Sequence, residues 1–305
     1  MPNNPLHIKT YNEFNKIFEG GSAISGARRI REDEVPKTLE SINNDLLAKL
    51  ELTSDDYILI GSTGKKLNPS DTSGDIDIGI SVEALASSLG TPDNLKEVST
   101  ALSSEMESIM DKDSQVSHLK GLNIVSVGWP IEGEIKNGTV QLDLIPIADM
   151  EWAKFIYYSP DQRKNESKYK SAHRNWLFSS ILSARKKVIE EDDEEIWVYE
   201  NPYIVLSDGL YKHTKSYKGK LKPRLKTAKR IDGTKKFITR DPDEFIEYTL
   251  GKRHNLDSVK TFEDVMTIIK SSDFDLKDKL PEIREKYLEF MERSKLEIPK
   301  EIKEL

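Results

Sequence analysis

Residues 57–78 open with Tyr57-Ile58-Leu59-Ile60-Gly61-Ser62, continue through twelve residues, and close on Asp75-Ile76-Asp77-Ile78. An apolar run delivers a Gly-Ser pair, and a second apolar run carries two carboxylates two positions apart. Successive side chains of a strand alternate between its faces, so Asp75 and Asp77 point the same way. Two like charges held that close repel, and one is driven to take up a proton. A divalent cation relieves the conflict, and Mg²⁺ favours carboxylates, especially beside phosphate.

A third acid fits the same site. Thr139–Ile147 (TVQLDLIPI) reads as a strand with Asp143 between Leu142 and Leu144. A carboxylate inside an apolar strand is costly without a partner. If this strand lies beside the Asp75/Asp77 strand, three acids converge, enough to hold two Mg²⁺ ions for phosphoryl transfer. The Gly61-Ser62 turn would then offer backbone N–H groups and a hydroxyl to phosphate. Singly, each part is ordinary: Asp-x-Asp is a common strand or turn motif, Gly-Ser a common turn, and one strand acid often faces a lysine. The ordered combination carries the reading.

In that order the parts resemble the signature of the DNA polymerase β-like nucleotidyltransferase superfamily. Gly61 and Ser62 match its Gly-Ser pair, Asp75 and Asp77 its paired carboxylates, and Asp143 its later strand acid; the resemblance covers about residues 38–150. It implies an α+β fold, with a core of a small mixed β-sheet backed by helices, followed by a mostly helical C-terminal region. It also implies metal-dependent transfer of a nucleoside monophosphate from an NTP, such as ATP, to an acceptor hydroxyl. Asp75, Asp77 and Asp143 would be the catalytic acids and the ligands of two Mg²⁺ ions, with Mn²⁺ as the alternative. Gly61 and Ser62 would hold the nucleotide. In that family a helical region after the core commonly meets base and acceptor, and Lys170 and Arg174 would bind triphosphate there. The plainer reading of Lys170 and Arg174 is surface charge on an amphipathic helix. The acceptor stays open between an RNA or other nucleic-acid end, a protein hydroxyl and a small molecule. The rival class is a pseudoenzyme that binds nucleic acid without catalysis.

Gly61-Ser-Thr-Gly64-Lys65-Lys66 looks superficially like a P-loop. That motif needs four residues between its glycines and Ser or Thr after the lysine; here two residues intervene and Lys66 follows. Lys65 and Lys66 read first as exposed turn lysines, with a place near phosphate as the alternative, and Asp71 in the same loop as a turn former.

Composition bounds the rest. The chain has 305 residues, 36% hydrophobic and 32% charged, which suits a soluble globular protein of one large or two ordinary domains. Residues 1–150 are expected to form the catalytic core and 151–305 a basic and helical substrate-shaping domain. There is no cysteine, so disulfides and thiolate metal sites are excluded. The five histidines are scattered without ligand spacing, leaving carboxylates as the metal ligands. No transmembrane run or secretory signal is visible, and a reducing cytosol is the expected compartment. Net charge is −7, yet Lys212–Arg240 holds twelve Lys/Arg against one acid, just after the acidic block Glu190–Glu195. With Tyr211, Tyr217 and Phe237 interleaved, Lys212–Arg240 suits phosphate contacts and base stacking, or a solvated basic hairpin neutralised by the acids.

Periodicity places amphipathic helices at Pro36–Leu50, Asp93–Met110 with Asp93 as cap, and Ser171–Ile189. Short strands are expected at Asn123–Trp129 and within Glu195–Tyr211. Three further helices, Asp243–Leu250, Thr261–Lys270 and Leu280–Lys295, carry apolar stripes that include Tyr248 and Leu288.

Overall fold

The computed structural model describes residues 23–110, 115–120, 122–185, 187–191, 196–200, 203–218, 229–294 and 296–305. The chain is α+β and divides into two compact units, Met1–Ser171 and Ala172–Leu305. The boundary lies later than the expected cut at 150. Helix α4 (Met150–Ile156) packs its buried Trp152, Ala153 and Phe155 within the first unit, and the loop behind it binds back to residues 61–66: Gln162 N–H donates to Lys65 O at 3.0 Å.

The first unit is built on a five-stranded mixed sheet. Its strands are β2 (Tyr57–Ile60), β4 (Asp75–Ser81), β5 (Val116–Leu119), β6 (Ile124–Pro130) and β7 (Thr139–Ile147), in the order β2-β4-β7-β6-β5. Short β1 (Ile30–Arg31) and β3 (Thr72–Ser73) pair separately. The central β4 and β7 run parallel, and every other pairing in the sheet is antiparallel. A parallel pair needs a long crossover. Here it holds α2 (Val82–Leu89), α3 (Leu95–Ile109), β5 and β6.

Alternation gives the sheet two unlike faces. Ile76, Ile78 and Ile80 on β4, Leu142 and Leu144 on β7, and Val125 and Val127 on β6 are at most 2% exposed and join one apolar cluster. Val98, Leu102 and Met106 of α3 fill that cluster, with Leu46 and Leu47 from the π-helical turn that continues α1 (Val35–Ile42). The opposite face carries the intervening residues: Asp75 and Asp77, Gln141 and Asp143, Ser126. Helix α3 is capped by Asn94, whose Oδ1 accepts the Glu97 N–H at 3.0 Å, so the expected cap at Asp93 moves by one residue.

The second unit starts in α5 (Ser171–Ala184). The sequence-based helix to Ile189 stops five residues short, because Lys187–Glu191 is recruited as β8 by pairing with β9 (Ile196–Glu200). Strands β8, β9, β10 (Tyr203–Leu206), β11 (Gly209–Lys218) and β12 (Lys229–Thr239) form an antiparallel sheet. The short strands expected within Glu195–Tyr211 are β9 and β10, and the described part of the basic stretch lies largely in the β11–β12 pair. Residues 192–195 of the acidic block and 219–228 of the basic stretch lie outside the described residues.

From Pro242 on, the chain is helical: α6 (Pro242–Leu250), α7 (Phe262–Lys270), α8 (Leu280–Ser294) and α9 (Lys300–Lys303). Asp241 and Thr261 cap α6 and α7 through the N–H groups of Glu244 and Asp264. The core of the unit is aromatic. Phe178 meets Phe245 edge-on at 5.2 Å between centroids, and the Tyr287 hydroxyl lies 2.6 Å from His173 Nδ1. Tyr248, expected inside, is 40% exposed and Leu288 only half-buried; Phe290 is buried instead.

Candidate metal centre

The register of β4 against β7 builds the site. Asp75 lies opposite Gln141 and Asp77 opposite Asp143. Because laterally paired residues share a face, the three acids meet on the polar face. A carboxylate oxygen from each of Asp75, Asp77 and Asp143 lies within 4.8 Å of the other two. A cluster of this size can hold a metal ion, and oxygen ligands on rigid strands suit hard divalent cations.

The electrostatics are those of a crowded anionic site. Burial, reinforced by the neighbouring Asp75 and Asp143, pushes the Asp77 carboxyl well above the usual carboxylate range. Burial also raises Asp143. Two groups oppose that rise. Gln141 Nε2 donates to both carboxylate oxygens, at 2.9 and 3.0 Å. The Ser126 hydroxyl, across the ladder on β6, also favours the charged form without meeting hydrogen-bond geometry.

The Gly61-Ser62 turn lies against the acids. Ile60 pairs with Asp77, and the chain then turns at Gly61 with φ +72°. A Cβ on Gly61 would collide with Asp77 Oδ2. Only glycine satisfies both the left-handed backbone and the close approach. The turn is pinned on both sides. Thr63 Oγ1 donates to Asp75 O at 2.6 Å, and Arg163 Nη2 donates to Gly64 O.

Lys65 and Lys66 depart from the expectation of exposed turn lysines; both are half-buried. Lys65 Nζ reaches Gly61 O at 3.1 Å and Ser159 O at 3.0 Å, while Lys66 Nζ donates to Ser62 Oγ at 3.2 Å. Burial lowers both ammonium groups from the ordinary lysine range. At Lys66 the nearby Lys170 lowers it further, against the opposing pull of Glu32. Lys170 is therefore near this turn, and it is exposed. Asp71 is a turn former as read, its Oδ2 accepting the Asn68 N–H at 3.0 Å.

Arg174 lies in the second unit, 2% exposed, with Nη1 donating to Lys260 O at 2.9 Å and its guanidinium over Phe178. The surface position expected for it on α5 is corrected to a buried one that ties α5 to the start of α7. The sequence signal for Lys66 was its spacing, four residues beyond Ser62, which a P-loop template discards.

The chain matches no protein-family model, no curated protein and no solved structure. Among the described residues, no helix is long and apolar enough to cross a membrane.

Two outcomes follow from this geometry. Gly61→Ala should cost ~1–2 kcal/mol from the positive φ alone and displace Asp77, so divalent cations should lose their stabilising effect on thermal unfolding. The raised carboxyls fix a pH dependence. The folded chain holds protons that the unfolded chain has already released, so stability falls as pH rises above the ordinary carboxylate range toward the raised Asp77 value. Asp77→Asn should raise the melting temperature in EDTA at neutral pH and flatten that decline. A melting temperature in EDTA lower than wild type would refute the repulsion.

Proposed function

We propose that the protein is a nucleotidyltransferase, moving a nucleoside monophosphate from an NTP to an acceptor hydroxyl with release of pyrophosphate. The supporting observation is the convergence of Asp75, Asp77 and Asp143 within 4.8 Å beside a turn only glycine can make. The sequence resemblance set out above leads to the same reading. Mg²⁺, with Mn²⁺ as substitute, is the proposed ion, and when bound it would neutralise phosphate charge and activate the attacking oxygen.

The residues themselves would do the rest. Asp75, Asp77 and Asp143 would hold the ions, and Asp143 would take up the acceptor's proton. Ser62, with the positive charge of Lys66 and Lys170 close by, binds the triphosphate. Lys65, tied to Gly61 O and Ser159 O, holds the turn in shape.

A nucleic-acid end, RNA first, is the acceptor we favour. The β11–β12 pair places Lys212 opposite Lys236 in its ladder. Like charges directly opposed destabilise a sheet, and a phosphate backbone would relieve them. The proposed compartment is the cytosol, where a chain without cysteine needs no disulfide.

Labelled NTPs, offered with Mg²⁺ and a mixed pool of RNA, DNA and protein, test the activity. Wild type should label one acceptor class. Asp143→Asn should lose at least a hundredfold in rate while still folding, and Lys66→Ala should chiefly raise KM for the NTP. Wild-type turnover by Asp143→Asn would end the proposal, and labelling of protein instead of RNA would change the acceptor. Failure of every NTP with Mg²⁺ to raise the melting temperature would favour the pseudoenzyme. Oligonucleotide affinity should fall steeply with salt, with a log–log slope of about −0.7 for each single-strand phosphate contacted. Lys212→Glu with Lys236→Glu should flatten it, and no binding at low salt would remove the β11–β12 pair from the account.

A further inference from the structure

One buried side chain near the acids remains outside this chemistry. Gln141 is 3% exposed and sits on β7 beside Asp75 and two positions before Asp143. Its amide is used at both ends. Nε2 donates to both oxygens of Asp143 at 2.9 and 3.0 Å. Oε1 accepts the backbone N–H of Ala23 at 2.8 Å and of Ile24 at 3.3 Å.

The amide orientation is chemically forced. Reversed, it would set its oxygen against a carboxylate and its NH₂ against two N–H donors, leaving four mismatched contacts. A strand interior favours apolar residues, and burying an amide is costly without partners. The amide makes contacts that packing alone does not require: it holds Asp143 by both carboxylate oxygens.

The segment that holds the other end is itself fastened to the sheet. Ser25 N–H donates to Gln115 Oε1 at 2.7 Å, and Arg28 N–H donates to Thr139 O at 2.8 Å. Ile24 lies over Gly128, where a Cβ would come within 3.3 Å of its Cγ2. The 23–28 segment thus crosses β6 and β7 on the side of the acids and supplies the anchor for the amide.

We infer that Gln141 is a positioning residue: its amide fixes the Asp143 carboxylate for metal binding and couples that carboxylate to the backbone at Ala23–Ile24. The inference rests on the reading of the acids as a metal centre. Partners that orient a metal ligand typically account for 10–100-fold in metal affinity. Coupling through one amide is reciprocal, so a metal held by Asp143 must steady the backbone that anchors Gln141.

Mn²⁺ titration of the full chain tests it, with Gln141→Met as the isosteric variant lacking the amide and Asp143→Asn as the control. The expected result is a Kd for Mn²⁺ weakened about tenfold or more by Gln141→Met, with the melting temperature in EDTA lowered by the partners left unpaired. An unchanged Kd overturns the positioning role and leaves the metal centre standing. No Mn²⁺ binding by wild type overturns the metal centre, and this inference with it. Should Gln141→Met fail to fold, hydrogen exchange on the wild type decides. Mn²⁺ should slow exchange at the Ala23 and Ile24 amides, and unchanged exchange there overturns the coupling.

Discussion

The lateral register between β4 and β7 is the constraint on which the first unit depends. It sets Asp77 opposite Asp143 and Ile78 opposite Leu144, so one pairing creates both the acidic cluster and the driest part of the core. A slip of one residue would turn the acids into the apolar cluster and the isoleucines toward water. The apolar face is therefore what makes the acidic face tolerable. Burial of isoleucine, leucine and valine holds the strands in a register that electrostatics alone would oppose.

The same register explains which parts of the site were readable in the sequence. Asp77 and Asp143 interrupt apolar runs and Asp75 opens one, and an acid in such a place announces a partner. Gly61 was readable because a Gly-Ser pair ends a strand, although its reason emerged only in three dimensions: Asp77 Oδ2 fills the space a side chain would need. Gln141 left no such mark. A glutamine in TVQLDLIPI reads as ordinary alternation, and its role depends on a backbone more than a hundred residues earlier. Lys66 was hidden differently. Loop lysines are usually solvated, and only the folded loop half-buries this one beside Ser62.

In the second unit local propensity misled where sheet pairing took over. Ser171–Ala184 is helical as its stripe requires, but Val188 and Ile189 are β-branched and go to β8 once β9 lies beside them. Arg174 shows the limit of helical-wheel reasoning. A guanidinium assigned to the wet side is buried because the carbonyls of Val259 and Lys260 accept its hydrogen bonds. The apolar stripes of α6, α7 and α8 were legible, since amphipathic helices packed on an aromatic centre need little more than their spacing.

The parallel pairing of β4 and β7 also orders events in time. Parallel neighbours cannot zip up from a tight turn, and contacts between distant parts of a chain form slowly. Helices α2 and α3 and the β5–β6 ladder are local and can form early. Asp143 thus joins Asp75 and Asp77 only as β7 docks, when the surrounding apolar contacts are ready to hold the three together.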